Sequence, residues 1–180
     1  NIGYLYAKMS NNDYMIIHDI DLFPLNSALN YKYPMKGPYH IADPRMHPIY
    51  HYKNYIGGIL SITLKDFNKL NGMSNDYWGW GREDDDLYKR MKIHKLQLER
   101  IESVPDPDYP WFIHDHSHSE KRDTTNLLHN TYLLKRQDLK SGITSLKYKL
   151  INIQNSKADG YKYKIINVKL ECKITQKRYC

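Results

Sequence analysis

The run Gly57-Gly58-Ile59-Leu60-Ser61-Ile62-Thr63-Leu64 constrains the fold more than any other stretch of this chain. It is apolar and rich in β-branched residues, which marks a central strand of a sheet. Residues 65–70 then read as a short helix stopped at Gly72. Residues 14–18 are a second buried strand, which ends by delivering Asp19 and Asp21 to its C-terminal edge. Open α/β sheets place their ligands at that edge. Strands and helices alternate further along, with a helix expected over residues 83–94, a strand over 96–101 and a helix over 123–137. Between the first two strands, residues 22–55 read as long loop with one strand at 39–42, and residues 104–110 as a proline-rich loop. Residues 146–153 and 161–170 alternate Lys with apolar side chains and predict two half-buried strands joined by a turn over 154–160. The fold class expected is α/β.

At 180 residues and 21.5 kDa the chain has length for one hydrophobic core, so residues 1–180 are read as a single domain. Its net charge of +7 is spread along the sequence without a compact basic tract, which argues against a nucleic-acid surface. Cys172 and Cys180 are the two cysteines, and a bridge between them would clip the C-terminal tail and imply an oxidising compartment. No apolar run is long enough to span a bilayer. The start at Asn1 rather than Met is expected to reflect lost upstream sequence, where a membrane anchor would lie.

Three constellations carry chemistry. Asp19-Ile20-Asp21 places two carboxylates around one apolar residue at a strand end, a pattern that offers an oxygen ligand to Mn²⁺ or Mg²⁺ and equally reads as a turn or cap. His114, His116 and His118 alternate in an extended segment, so neighbouring pairs project to one side and are able to chelate one ion, Mn²⁺ or Zn²⁺ by ligand type. Trp78-Gly79-Trp80-Gly81-Arg82-Glu83-Asp84-Asp85-Asp86 sets a flat indole beside acids crowding a helix N-terminus. An indole stacks on the C–H face of a pyranose while carboxylates accept from its hydroxyls.

With these motifs in order, the chain resembles the β-1,4-galactosyltransferase family, most closely the member type acting on xylose. The likeness runs from Asn1-Ile2-Gly3-Tyr4 through the Asp-x-Asp segment, His47-Pro48-Ile49-Tyr50-His51-Tyr52-Lys53-Asn54-Tyr55-Ile56-Gly57-Gly58 and the Trp-Gly-Trp-Gly motif to Cys172 and Cys180. It implies a GT-A type fold, a Rossmann-like mixed sheet flanked by helices, with UDP-galactose as donor, Mn²⁺ as cofactor and inversion at the anomeric carbon. The implied metal ligands are Asp21 with His114 and His116, or with His116 and His118. Asp19, Gly57 and Gly58 fall on the donor side, together with Trp80 and Glu83. Tyr50, Tyr52, Trp80, Arg82, Glu83 and Asp85 fall on the acceptor side. Arg82 stands where members acting on N-acetylglucosamine have Gly, which is expected to narrow the pocket towards xylose.

The mechanism implied is a single displacement in which Asp84 accepts the proton of the xylose 4-hydroxyl, with an ordinary carboxylate pKa sufficient. Expected partners are UDP-galactose and a xylosylated core protein or β-xyloside in the Golgi lumen, in glycosaminoglycan linker synthesis, with no nucleic acid. An N-acetylglucosamine-directed transferase and an inactive sugar-binding fragment are the alternatives. The family's arginine-rich and Phe-Asn-Arg nucleotide-holding segment is absent from this chain, so the fragment alone is expected to bind UDP poorly and to transfer little galactose.

Overall fold

A computed structural model of the protein describes residues 1–104, 106, 108–117 and 121–171. They fall into two compact units, residues 1–144 and the C-terminal part from Ser145 onward.

In the first unit, β4 (Ile59–Thr63) lies between β1 (Tyr14–His18) and β3 (Tyr39–His40), antiparallel to both. All five residues of β4 are buried. Leu60 and Ile62 join one apolar cluster with Tyr4, Phe67, Leu87 and Met91. Ile59 joins a second cluster with Leu22, Ile41, Trp111 and Phe112. The central run is therefore covered on both sides, and each such side chain contributes about 1.5–3 kcal/mol through burial.

The first cluster is roofed by α1 (Ile2–Met9), α2 (Leu64–Lys69) and α3 (Glu83–Ile93). Thr63 ends β4 and caps α2, its hydroxyl accepting from Asp66 N at 2.9 Å. The same residue thus closes a strand and opens a helix, which is why the two elements follow without a loop. Two further strands, β2 (Leu22–Pro24) and β5 (Phe112–His114), form a separate antiparallel pair with Leu22 opposite His114. The last helix of this unit is α4 (Leu127–Arg136).

Arg90 is fully buried on α3, and its guanidinium has a partner for every N–H group. Nε donates to Asp86 Oδ2 at 2.7 Å, and the terminal nitrogens donate to the carbonyls of Leu70, Gly72, Asp138 and Ser141. Asp86 also accepts from the Tyr77 hydroxyl at 3.2 Å. One side chain thereby ties α3 to the end of α2 and to the loop after α4.

The second unit is a hairpin of β6 (Tyr148–Ala158) and β7 (Tyr161–Leu170). Asp159 and Gly160 form its two-residue turn with φ of 49° and 85°, the left-handed pair that suits the twist of a hairpin.

Several expectations need correction. The loop read over 22–55 contains β2, and residues 2–9, given no element in the sequence reading, form a helix. The strand expected over 39–42 shortens to Tyr39–His40. Residues 96–101 contribute only a single parallel bridge, Glu99 to Tyr39, made by Glu99 N to Pro38 O and His40 N to Glu99 O. The helix expected from residue 123 starts at Leu127, because Asp123 turns the chain first by accepting from Thr125 N. In the hairpin the ladder runs through the polar residues 154–158, and its strands are largely exposed rather than half-buried. Cys172 and Cys180 lie outside the described residues.

Arg90→Leu keeps apolar bulk but strands Asp86 and four carbonyls, so the unfolding free energy should fall by about 3–5 kcal/mol. Urea denaturation followed by circular dichroism measures this, and an unchanged midpoint would contradict it.

Candidate active site

Arg82 opens α3 in the left-handed region, with φ 79° and no side-chain cap. Four acids follow in the first turn, where the helix dipole favours negative charge. Helical geometry then distributes them. Asp86 faces inward to Arg90, and Asp85 turns back to Arg82, its Oδ2 3.0 Å from Nη1. Glu83 is packed with its Oε2 buried and without a hydrogen-bond partner among the described residues. Burial raises its pKa, with Asp19 and Asp85 adding repulsion.

Asp84 points at the backbone of Gly57. A Cβ on Gly57 would lie 2.4 Å from Asp84 Oδ2 and 2.7 Å from the Tyr55 ring, so only glycine leaves this carboxylate its place. Burial pushes the Asp84 carboxyl up to about 8, helped by repulsion from Glu83, Asp19 and Asp85. An ordinary carboxylate pKa was expected here. The crowding of acids in a protein-lined recess is the reason for the difference. At this value the carboxyl largely keeps its proton near neutral pH, and its ionised form, once populated, is a stronger base than an ordinary carboxylate.

The next group of residues is anchored by His47. Its Nδ1 accepts from Ile49 N and Tyr50 N, both at 3.0 Å, so the proton sits on Nε2, which faces the Tyr55 hydroxyl at 3.3 Å. Burial drives the His47 pKa down to about 4, consistent with a neutral ring. This imidazole shapes the turn that presents Tyr50 and Tyr52. Tyr52 is half-exposed, and burial with the nearby Asp85 and Asp84 raises its hydroxyl to about 12.

Asp21, His114 and His116 are brought together by the β2–β5 pair. Leu22 pairs with His114, and Asp115 N donates to Asp21 O at 2.8 Å, so the carboxylate stands beside both rings. Asp21 Oδ2 lies 3.3 Å from His114 Nε2 and 3.4 Å from His116 Nδ1. One ligand atom from each residue lies within 4.8 Å of the other two, and one carboxylate with two imidazoles suits a borderline divalent ion such as Mn²⁺. His118 falls outside the described residues. Asp19 is held apart from this triad, exchanging hydrogen bonds with Gly58: its N donates to Gly58 O at 2.7 Å and its Oδ2 accepts from Gly58 N at 3.2 Å. Burial and the neighbouring Asp21 raise the Asp19 pKa.

One cavity of about 520 Å³ collects nearly all of these groups. Asp19, Asp21, Tyr50, Tyr52, Trp80, Arg82, Glu83, Asp84, Asp85, His114 and His116 line it. Gly57 and Gly58 instead line a small adjoining recess behind Asp19 and Asp84. The volume is that of an ordinary ligand pocket.

Sequence reasoning missed three contributors. Arg122 lies 4.8 Å from the Trp80 ring centre and 5.7 Å from that of Tyr50, and its Nη2 is 3.2 Å from His116 Nε2. Asn126 and Asn130 on and beside α4 donate to Trp78 O, and Asn130 also to Gly81 O at 3.0 Å, which fixes the Trp-Gly-Trp-Gly loop. Only Asn130, an Asn inside an otherwise regular helical pattern, gave a sequence signal, since a buried amide there needs loop carbonyls to satisfy it.

A family model described as the N-terminal domain of galactosyltransferase matches residues 37–115. A crystal structure of Drosophila β-1,4-galactosyltransferase 7, a mutant in complex with manganese, UDP-Gal and xylobiose, superposes with a TM-score of 0.89 at 37% identity, over 99% of this chain and 76% of that one. The fold is that of a GT-A glycosyltransferase. Among full-length relatives, the xylosylprotein 4-beta-galactosyltransferase of Caenorhabditis elegans is 40% identical over 100% of this chain and 64% of its own length. Beta-1,4-galactosyltransferase 7 of Drosophila melanogaster is 38% identical over 100% of this chain and 56% of its own. The chain belongs to the β-1,4-galactosyltransferase family and spans between about half and two thirds of the length of these relatives.

Asp84 holds its proton more tightly in the folded protein than in the unfolded chain. Its contribution to stability is therefore complete below about pH 4 and is lost as pH rises through about 8. In metal-free protein, Asp84→Asn should raise Tm at about pH 9 and lose that advantage towards about pH 4. Calorimetry across this range is the check, and a difference independent of pH would sink the assignment.

Proposed function

We propose that the protein transfers galactose from UDP-galactose to O4 of a β-linked xylose, with inversion at the anomeric carbon. The observation that carries this reading is the placement of Asp84, with its raised pKa, in one cavity with an aromatic wall and with the Asp21–His114–His116 triad. Two sugar-sized functions are thereby adjacent. Support also comes from the relatives, one named for xylosylprotein and another crystallised with manganese, UDP-Gal and xylobiose.

In this reading Trp80, Tyr50 and Tyr52 hold the acceptor ring, while Glu83 and Asp85 accept from its hydroxyls and those of the galactose. Orientation of this kind lowers the entropic barrier to attack. The acceptor O4 forms its bond to galactose C1 as the bond from C1 to the diphosphate oxygen breaks. The O4 proton passes to the Asp84 carboxylate, and UDP departs on the opposite face. Asp21, His114 and His116 would hold Mn²⁺, which supplies positive charge beside the leaving diphosphate. Asp19, braced by Gly58, serves the donor side.

Arg82 selects the acceptor. Its guanidinium is anchored to Asp85 at 3.0 Å and faces the Thr131 hydroxyl at 3.3 Å, so its bulk stands at the pocket wall. Xylose lacks both a hydroxymethyl and an N-acetyl group, and fits where larger sugars meet this side chain. The same reading sets the reaction in the Golgi lumen, in building the carbohydrate linker of proteoglycans, with Cys172 and Cys180 joined as a disulfide. No helix among the described residues is long and apolar enough to cross a membrane.

The test is galactose transfer to a β-xyloside and to N-acetylglucosamine, by this chain and by the same chain joined to the unmatched residues of the fly relative. Transfer should favour the xyloside and stop on chelation of the metal. Asp84→Asn should lower kcat by about 10²–10⁴-fold, the range of a lost general base. Arg82→Gly should shift preference towards N-acetylglucosamine while relieving about 1 kcal/mol of left-handed backbone strain. Equal use of both acceptors by the parent protein would refute the xylose assignment.

A further inference from the structure

The hairpin carries charges that its own folding does not explain. Lys157 and Lys162 are direct cross-strand partners, as are Lys149 and Lys169. Like charges set opposite each other destabilise an antiparallel pair. No ion pair relieves Lys157, Lys162 or Lys164 among the described residues.

Strand periodicity puts Lys164 on the same face as Lys162 and hence as Lys157. These lysines, with Asn155, Ser156 and Tyr163, line a hollow of about 430 Å³. On the other face, Tyr161, Tyr163 and Ile165 are 79%, 46% and 40% exposed. Among the described residues β7 pairs only with β6, so its outer backbone edge is unpaired.

We propose that residues 161–165 of β7 are an edge onto which an extended acidic segment of a partner protein adds as a third strand. Its carboxylates lie beside Lys162 and Lys164, and its alternate apolar residues lie beside Tyr161, Tyr163 and Ile165. Backbone hydrogen bonds along the edge supply affinity, and the alternation supplies specificity. A third strand also supports a two-stranded ribbon, which is marginal by itself in water. Charge decides the occupant: a second copy of this strand would set lysine rows against each other, and edge lysines are a known bar to such pairing. A flexible polyanion would satisfy the lysines but leave the backbone edge and the exposed aromatic face unused.

The experiment uses the full chain and two fluorescent peptides of equal composition, one alternating Glu with Val and one with Glu and Val in separate blocks, followed by anisotropy. The alternating peptide should bind about tenfold more tightly, and Lys162→Glu with Lys164→Glu should reverse that preference by a similar factor. A peptide alternating Lys with Val should then bind the doubly substituted chain better than the parent, which separates charge recognition from unfolding. Equal binding of both acidic peptides, or binding of heparin or anionic lipid vesicles with no binding of the alternating peptide, would overturn the proposal.

Discussion

The buried contact between Arg90 and Asp86 is the constraint on which the site depends. A guanidinium removed from water is tolerable only when each N–H is satisfied, and here one carboxylate and four carbonyls do so. Those carbonyls belong to the end of α2 and to the loop following α4, segments far apart in sequence. Fixing Arg90 fixes the rotation of α3 about its axis. That rotation determines which acid of the first turn meets solvent, which meets Arg82, and which faces Gly57.

Four adjacent carboxylates consequently acquire different properties without any change in residue type. Asp86 is neutralised by its ion pair, and Asp85 is shared with Arg82. Asp84 sits where burial and like charge both disfavour ionisation. A helix terminus thus supplies an anchor, a pocket wall and a buried carboxyl from one short run. The Asp21–His114–His116 triad, a candidate metal site, is assembled independently by the small β2–β5 pair, and the cavity exists because the two assemblies meet across Tyr50, Tyr55 and Trp80.

Much of this was legible in the residues. The buried run at 59–63 announced the central strand, and the charge gradient of residues 83–93 announced α3. The Asp-x-Asp, His-x-His and Trp-Gly-Trp-Gly segments each suggested their own chemistry, and their grouping is what the fold supplies. What escaped was non-local. Arg90 looked like an ordinary basic residue at a helix end, because four of its five acceptors are backbone carbonyls that no side-chain pattern reveals. Arg122 carries no signal in its local sequence, and only its approach to Trp80, Tyr50 and His116 gives it a place in the pocket. The pKa of Asp84 depends on burial and on Asp19, which is remote in sequence, as well as on its neighbours Glu83 and Asp85. The Glu99 segment had strand-like composition but makes only one bridge, since pairing depends on a neighbour's edge rather than on propensity.

The three-residue β2–β5 pair has a further consequence. Asp21 and His114 stand on opposite sides of most of the first unit's chain, and an ion held by both would close that long loop as a covalent cross-link does. Cross-links across long loops act chiefly by restricting the unfolded ensemble. An ion gripped only by the folded form also stabilises by mass action, in proportion to the logarithm of its free concentration. The divalent-ion level around the protein would then govern the stability of the fold as well as the filling of the site, making a bound ion a structural tether.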